Sequence, residues 1–246
     1  MPEGDTIWRA ANALRPRLRG KQILSAEPDR FASLLGKVVT EVEANGKHLL
    51  IRFEGGLVLH THMRMTGSWH LYRPGETWRR PARQAKVALA NEDTVAVLFN
   101  APVVELVRER ELRLDHLGPD ILAPDLDLQE VARRARRSSR TELGDVLLDQ
   151  TVAAGIGNIY KCETMWRLRL NPWSAVAGLS DESLLRVYGE ARRLMLVALR
   201  GRVPHAVHGR AGRGCPSCNS RIAIRNQGDP PRLTYFCPTC QRPGLR

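Results

Sequence analysis

The spacing of apolar side chains changes along this chain, and each change marks a different kind of element. Residues 4 to 19, GDTIWRAANALRPRLR, place Ile7, Trp8, Ala11 and Leu14 near one face of a helix. Pro16 lacks an amide hydrogen and crowds the preceding turn, so it is expected to end or kink that helix. From about residue 22 to 106 the pattern becomes short β runs punctuated by Gly, Asn and Pro. KVVTEVEANGKHLLIRF and GLVLHTHMRM read as strands, and VALANEDTVAVLF as a hairpin turning at Asn91, Glu92 and Asp93. A β-sandwich or barrel with the first helix packed on it buries those faces economically. GPDILAPDLD is rich in Pro and reads as a linker over about 118–126. Helical patterns follow in LQEVARRARR, ELGDVLLDQTV, NIYKCETMWRLRL and SDESLLRVYGEARRLMLVAL, the last capped in the region of Ser180.

Bulk properties narrow the class of partner. A chain of 246 residues with 43% hydrophobic residues can build two domains, or one large domain with an appendage. A formal net charge of +12 points to a polyanion, most simply nucleic acid; a membrane surface or a ribosome also fits charge alone. No run of eighteen apolar residues appears, so no membrane span is expected. Glu3 and Asp5 near the start argue against a secretory signal. The expected location is therefore a reducing, cytoplasmic compartment.

Cysteines carry the strongest local signal. Cys162 stands alone in a helical pattern and is expected to be a small buried residue. Cys215, Cys218, Cys237 and Cys240 form CPSC and CPTC pairs, eighteen residues apart. Two C-x2-C turns can each give two thiolates to one tetrahedral zinc, which would be closed and structural. A redox pair is the rival reading. RIAIRN and RLTYFC between the pairs read as two strands joined by QGDPP. So small a hairpin needs metal to fold, since structural zinc contributes on the order of 10–16 kcal/mol of apparent binding energy.

Two further motifs are ambiguous alone. In DQTVAAGIGNIYKCETMW a helix stops, glycines follow and a helix restarts near Asn158. Open amides at such a turn suit a phosphate oxygen, with Asn158 adding a side-chain donor; an ordinary tight helical connection reads the same way. In HTHMRMTG, strand alternation would send His60, His62 and Arg64 to one face and Thr61, Met63 and Met65 to the other. Met65 is then either an apolar wedge on a loop tip or a core residue.

Taken in order, PEG at the N-terminus, NGK before a strand, HMRMTG, AGIGNIY, RLTYFC and the four-cysteine unit resemble the formamidopyrimidine-DNA glycosylase and endonuclease VIII family of base-excision repair enzymes. The resemblance runs from residue 2 to residue 240, and LLDQ, LGPD at 117–120 and FNAPVVEL look closer to endonuclease VIII. It implies an α+β multidomain chain with DNA between the domains. Its parts are an N-terminal catalytic β-sandwich with packed helix (1–118), a helical domain with a helix-two-turns-helix DNA-binding motif (119–206) and a four-cysteine zinc finger (207–246). The implied partner is double-stranded DNA with oxidised bases or abasic sites, the implied cofactor is one structural Zn2+, and a monomer is the default.

The resemblance also assigns roles. With Met1 removed, Pro2 becomes a secondary amine, and an α-amino group (pKa about 7.7–8.0) is far more often free base at neutral pH than a lysine at about 10.4. Such a nitrogen can attack deoxyribose C1′, displace the damaged base and form an iminium that leads to strand scission. The family gives the position of Glu3 proton transfer at the sugar and that of Lys47 β-elimination and phosphate contact. Arg232 matches a phosphate-holding arginine linked with δ-elimination, and Asn158 a phosphate-binding asparagine. Met65 matches a residue that fills the gap left by a flipped nucleotide, with His62 and Arg64 as its DNA-contacting neighbours.

Several positions depart from the family pattern. Asp5-Thr6 stands where Pro-Glu is usual, APVV occupies the place of an inserted Arg-Phe pair, and His116 replaces a common Arg. The connection from Leu199 to Cys215 is short for a loop covering oxidised purines. These features favour a bifunctional glycosylase and AP lyase acting on oxidised pyrimidines by β,δ-elimination. A formamidopyrimidine or oxidised-purine enzyme and a catalytically silent damaged-DNA-binding protein are the alternatives.

Overall fold

The first amphipathic run folds as helix α1, Gly4–Leu18, burying Ile7, Ala11, Leu14 and Leu18. Pro16 lies inside this helix instead of ending it. Its missing hydrogen removes one intrahelical bond in the last turn, while burial of Leu14 and Leu18 on either side holds that turn, which Arg19 closes with an N–H bond to the Arg15 carbonyl. The computed structural model describes residues 2–201 and 203–242; Met1, Arg202 and residues 243–246 lie outside that range. The chain divides into two compact units, one through Asp115 and one from His116.

Alternating side chains build two antiparallel sheets in the first unit. One has the order β2 (Val39–Asn45), β3 (His48–Phe53), β4 (Leu57–His62) and β8 (Val103–Arg108). The other has the order β1 (Ser25–Glu27), β6 (Ala85–Ala90), β7 (Val95–Phe99) and β5 (Ser68–Tyr72). Leu49, Ile51 and Leu59 of the first sheet share a core with Val87, Leu89 and Leu98 of the second and with the buried stripe of α1. This is the expected sandwich with its packed helix. The β6–β7 turn forms where the sequence placed it, because the Asn91 carboxamide accepts hydrogen bonds from the Asp93 and Thr94 amides. Register sets His48 opposite His62 and His60 opposite Glu105, all on the face away from that core.

In the HTHMRM stretch the expected alternation holds through Met63 and then breaks. Strand β4 ends at His62, and Arg64 takes a left-handed φ of 44°. Met63 therefore enters the core while Met65 is 65% exposed on a turn, instead of both lying on one strand face.

The second unit holds α2 (Leu128–Arg137), α3 (Leu143–Leu148), α4 (Asn158–Arg167), α5 (Asp181–Arg200) and the hairpin β9 (Ala223–Gln227) and β10 (Arg232–Phe236). Ser180 caps α5 by accepting from the Ser183 amide. The Pro-rich stretch is not a loose linker. Ile121 and Leu122 are buried, Ile121 N–H bonds to the Ala154 carbonyl, and Arg192 donates to the carbonyls of Ile121 and Ala123. Among the described residues no helix is long and apolar enough to cross a membrane.

Candidate functional site

In the first unit the chemistry gathers at a helix start and at two turns. Glu3 is the N-cap residue of α1: its carbonyl accepts from Thr6 and Ile7, its carboxyl makes no capping bond, and the residue is 1% exposed. Pro2 lies half-buried directly ahead of it. Asp5, the acid standing where the family pattern has Pro, is engaged by Arg9 at 2.8 Å.

Lys47 sits in the two-residue turn from β2 to β3, beside Gly46 at φ 58°. Its charge reaches His62. Burial first, then the charges of Arg64, Lys47 and His60, lower the pKa of His62 to about 4. His62 Nδ1 accepts the Arg64 amide hydrogen at 3.0 Å, which ties the end of β4 to the exposed turn. That turn closes by a 2.8 Å bond from Gly67 N–H to the Met63 carbonyl, and a Cβ at Gly67 would stand 2.7 Å from Met63 backbone atoms. Lys47, His62 and Arg64 are thus brought together electrostatically, with Met65 at the tip of the same turn. An open cavity of about 510 Å³ adjoins it, lined by Arg30, Thr66, Lys86, Asn100 and Val104.

In the second unit the two-turn stretch between α3 and α4 is braced from within. Gln150 donates to the carbonyls of Leu148 and Ile156 and accepts the Gly155 amide hydrogen, with Gly155 at φ 107°. Asn158 then opens α4, and its amide donates to the Leu233 carbonyl at 2.8 Å. Arg232, the residue before Leu233, is exposed and forms no ion pair among the described residues. Asn158 and Arg232 are therefore brought to one place by the zinc-finger-like hairpin packing on α4. The Asn158 Oδ1 atom is buried with no partner.

Sequence reasoning missed the interior that holds these two together. Lys161, fully buried one turn into α4, donates to Thr234 Oγ1 at 2.6 Å; Thr234 donates to Gln227, and Gln227 donates to Glu142 and to the Pro172 carbonyl. Gly144 lies so close that a Cβ there would fall on the Gln227 carboxamide. A buried lysine in a polar chain of contacts has no periodic signature, so only the packing reveals it. Glu163 accepts the amide hydrogens of Ala206, Val207 and His208 in the same way.

The four clustered cysteines converge. Their Sγ atoms all lie within 4.8 Å of one another, with Cys218 at 3.4 Å from both Cys237 and Cys240 and Cys215 at 3.9 Å from Cys240. A tetrahedral thiolate site at about 2.3 Å from its ion has sulfurs about 3.8 Å apart, so the set could hold a metal ion. Hydrogen bonds from Ser220 bring the Cys218 thiol down to about 6, whereas burial and the neighbouring thiols push Cys240 up to about 12. Four thiolates cannot coexist there without a cation. The indole of Trp166 donates to Cys215 at 3.3 Å, and the Cys240 amide to Cys237 at 3.4 Å. An ion held by all four would have no coordination position left open. Cys162 is buried nearby, as expected.

Comparison with known proteins places this geometry. The sequence profile of the formamidopyrimidine-DNA glycosylase N-terminal domain matches residues 1–104, and that of the formamidopyrimidine-DNA glycosylase H2TH domain matches residues 117–205. A probable endonuclease 8 2 of Streptomyces coelicolor is 40% identical over 270 residues, covering 100% of this chain and 98% of that protein. The DNA-(apurinic or apyrimidinic site) lyase Nei2 of Mycolicibacterium smegmatis is 36% identical, covering 98% and 99%. Among solved structures, the Thermus thermophilus MutM (Fpg) protein superposes with a TM-score of 0.81 at 29% identity, covering 98% of both chains. The Lactococcus lactis formamidopyrimidine DNA glycosylase bound to AP-site DNA superposes with a TM-score of 0.83 at 22% identity, covering 98% and 99%; this likeness concerns the fold.

Proposed function

The chain belongs to the formamidopyrimidine-DNA glycosylase and endonuclease VIII family of DNA glycosylase/AP lyases, and from that premise we propose that it excises oxidised bases, pyrimidines foremost, through an N-terminal proline and then cuts the strand. The observation that carries this reading is the placement of Glu3, buried at the N-cap of α1 directly behind Pro2. Once Met1 is removed, Pro2 presents a secondary amine beside the positive helix end, which weighs against a second positive charge on that nitrogen. The free amine attacks C1′ and displaces the base, and Glu3 moves protons at the opening sugar. The resulting iminium acidifies the sugar proton next to it, so β-elimination follows. Lys47, His62 and Arg64 hold phosphates on one unit and Asn158 and Arg232 on the other, with Arg232 serving the second, δ-elimination. Met65, exposed at its turn, fills the gap left when the nucleotide flips out.

The metal of the four-cysteine site is read as zinc, because four thiolates in tetrahedral spacing suit that ion and leave no coordination position open. Its contribution is structural: it holds the hairpin that carries Arg232 and Leu233 against Asn158. The protein acts as a monomer in the cytoplasm on this reading. Preference for pyrimidines rests on the short connection between Leu199 and Cys215. A panel of duplexes with single defined lesions tests it against the oxidised-purine alternative.

Borohydride reduction during turnover tests the mechanism. A covalent protein–DNA adduct is expected on abasic duplex, with the modified peptide at Pro2. Pro2→Gly is expected to lower trapping and nicking by at least about 100-fold, in line with loss of a covalent nucleophile. Full nicking by that variant, or by protein retaining Met1, would overturn the reading in favour of another nucleophile; binding without nicking by the unsubstituted chain would favour a silent damage-binding protein.

A further inference from the structure

The cavity beside the Met65 turn is basic, and the steps above leave it unused. Arg30, just beyond β1, and Lys86 of β6 line it together with Thr66, Asn100, Pro102 and Val104, and no lining residue is acidic. Both cations are exposed, and neither forms an ion pair among the described residues. The guanidinium carbon of Arg30 stands 4.7 Å from the centre of the buried Phe31 ring, and Arg30 donates to the Lys86 carbonyl at 3.4 Å. These contacts steady the head of a long side chain and leave most of its N–H donors for a ligand. The wall is held as well. Thr66 donates to the Asn100 carbonyl at 2.8 Å, and Asn100 donates from its backbone to the Gln84 carbonyl at 2.9 Å and from its carboxamide to Gln84 Oε1 at 3.1 Å. The exposed turn is thereby tied to the cavity beside it.

Strand register sets this cavity on the opposite flank of the turn from Lys47. At that end of the first sheet, His48 of β3 pairs with His62 of β4, and His62 pairs with Val103 of β8. Lys47 precedes His48, the Met65 turn follows His62, and Pro102 precedes Val103. Neighbouring strands lie about 4.8 Å apart, so the turn rises between Lys47 on one side and the cavity on the other. The second sheet completes the cavity side: Ser68 and Ala85 both pair with Phe99, which brings Lys86 and Asn100 to the same end of the sandwich. A wedge seated in a duplex stack has one sugar-phosphate backbone on each side of it. On the reading above, the lesion strand takes the side of Lys47, His62 and Arg64. The phosphates of the other strand then fall to Arg30 and Lys86.

We propose that Arg30 and Lys86 form a phosphate subsite for the strand opposite the lesion. The inference rests on Met65 filling the gap left by a flipped nucleotide. A guanidinium can hold two phosphate oxygens at once, and an ammonium acts as a compact point charge, so the pair suits a phosphodiester backbone. Contacts of this kind read no bases; they fix how the duplex lies across the turn. They also make tight binding depend on a second strand. Arg30 and Lys86 touch no reacting atom, so their role is in binding alone.

Binding of the full chain to DNA carrying a tetrahydrofuran abasic analogue, measured across a salt series, tests this. The probes share one lesion strand: that strand alone, its ordinary duplex, and a duplex with uncharged methylphosphonates on the complementary strand facing the lesion. For the unsubstituted protein, the methylphosphonates are expected to lower affinity roughly 10-fold and to make the salt slope shallower by about 0.9 per neutralised contact. The double variant Arg30→Ala, Lys86→Ala is expected to lose a similar amount on the ordinary duplex. Methylphosphonates should then cost it less than about 2-fold more, because a charge and its partner act as one unit. Its affinity for the single strand should change by less than about 2-fold, since no second backbone is present. Both side chains are exposed, so these substitutions do not threaten the fold, and Arg30→Lys with Lys86→Arg should keep the salt slope. Additive losses from substitution and methylphosphonates, or equal losses on single strand and duplex, would overturn the subsite while leaving Met65 its role. An unsubstituted chain that binds the abasic duplex no tighter than an undamaged one would remove that role, and the subsite with it.

Discussion

A single histidine shows how environment sets chemistry here. An unfolded chain titrates His62 near 6.5, whereas burial, with Arg64, Lys47 and His60, lowers it to about 4 in the folded protein. Between those values the unfolded chain holds the extra proton, so stability rises with pH in that window. The contribution is complete above about 6.5 and is lost as pH falls towards 4. His208, half-buried and next to His205, is lowered to about 4 as well and acts in the same direction. Denaturant titrations at pH 7 and pH 5 should therefore show a smaller acid-induced loss for His62→Gln than for the unsubstituted protein; an equal loss would place the cause elsewhere. None of this is written in the residue type, since His62 in sequence is one of seven histidines. Cys162 and the four clustered cysteines differ: their spacing alone separated one buried residue from a four-ligand set.

Elements were more legible than their ends. The helix periods of α1, α2, α4 and α5 and the β6–β7 hairpin follow from local pattern, because period and turn chemistry are short-range properties. Where the chain departs from its local rule, turning at Arg64 or continuing as helix through Pro16, burial of neighbouring side chains overrode that rule. The two-turn stretch before α4 offers a direct check. Gln150 makes three hydrogen bonds within it, so Gln150→Ala is expected to cost about 1–3 kcal/mol of stability by leaving the Gly155 amide and two carbonyls unpaired. DNA affinity should fall with it, as Asn158 follows directly. Chemical denaturation and a duplex-binding titration measure both, and an unchanged midpoint would show that water replaces the carboxamide.

At the level of the whole molecule, each unit has its own source of stability. The first relies on a sandwich core shared by two sheets and α1, while the terminal hairpin of the second has little core beyond Cys162, Val207, Cys215, Ile222 and Cys237. Removing the metal with a strong chelator is expected to melt the hairpin while the first unit keeps its β signal in circular dichroism. The phosphate contact proposed for Arg232 would be lost with it, so duplex affinity should drop and the salt dependence of binding should become shallower, by about one counterion per lost contact. A protein that binds and cuts undiminished after complete metal loss would remove the structural role assigned to the cysteines.

From the sequence alone came the kind of fold, a set of four cysteines able to hold a metal ion and the ordered set of motifs, because these depend on residue type at fixed spacing. Tertiary packing alone decided that Lys161 bridges α4 to the hairpin, that Ile121 and Leu122 are buried in a stretch resembling a linker, and that His48 and Glu105 join the two β4 histidines on one sheet face. Such contacts join residues far apart in the chain. They depend on strand register and on which polar groups find partners once water is excluded, and no local pattern encodes either.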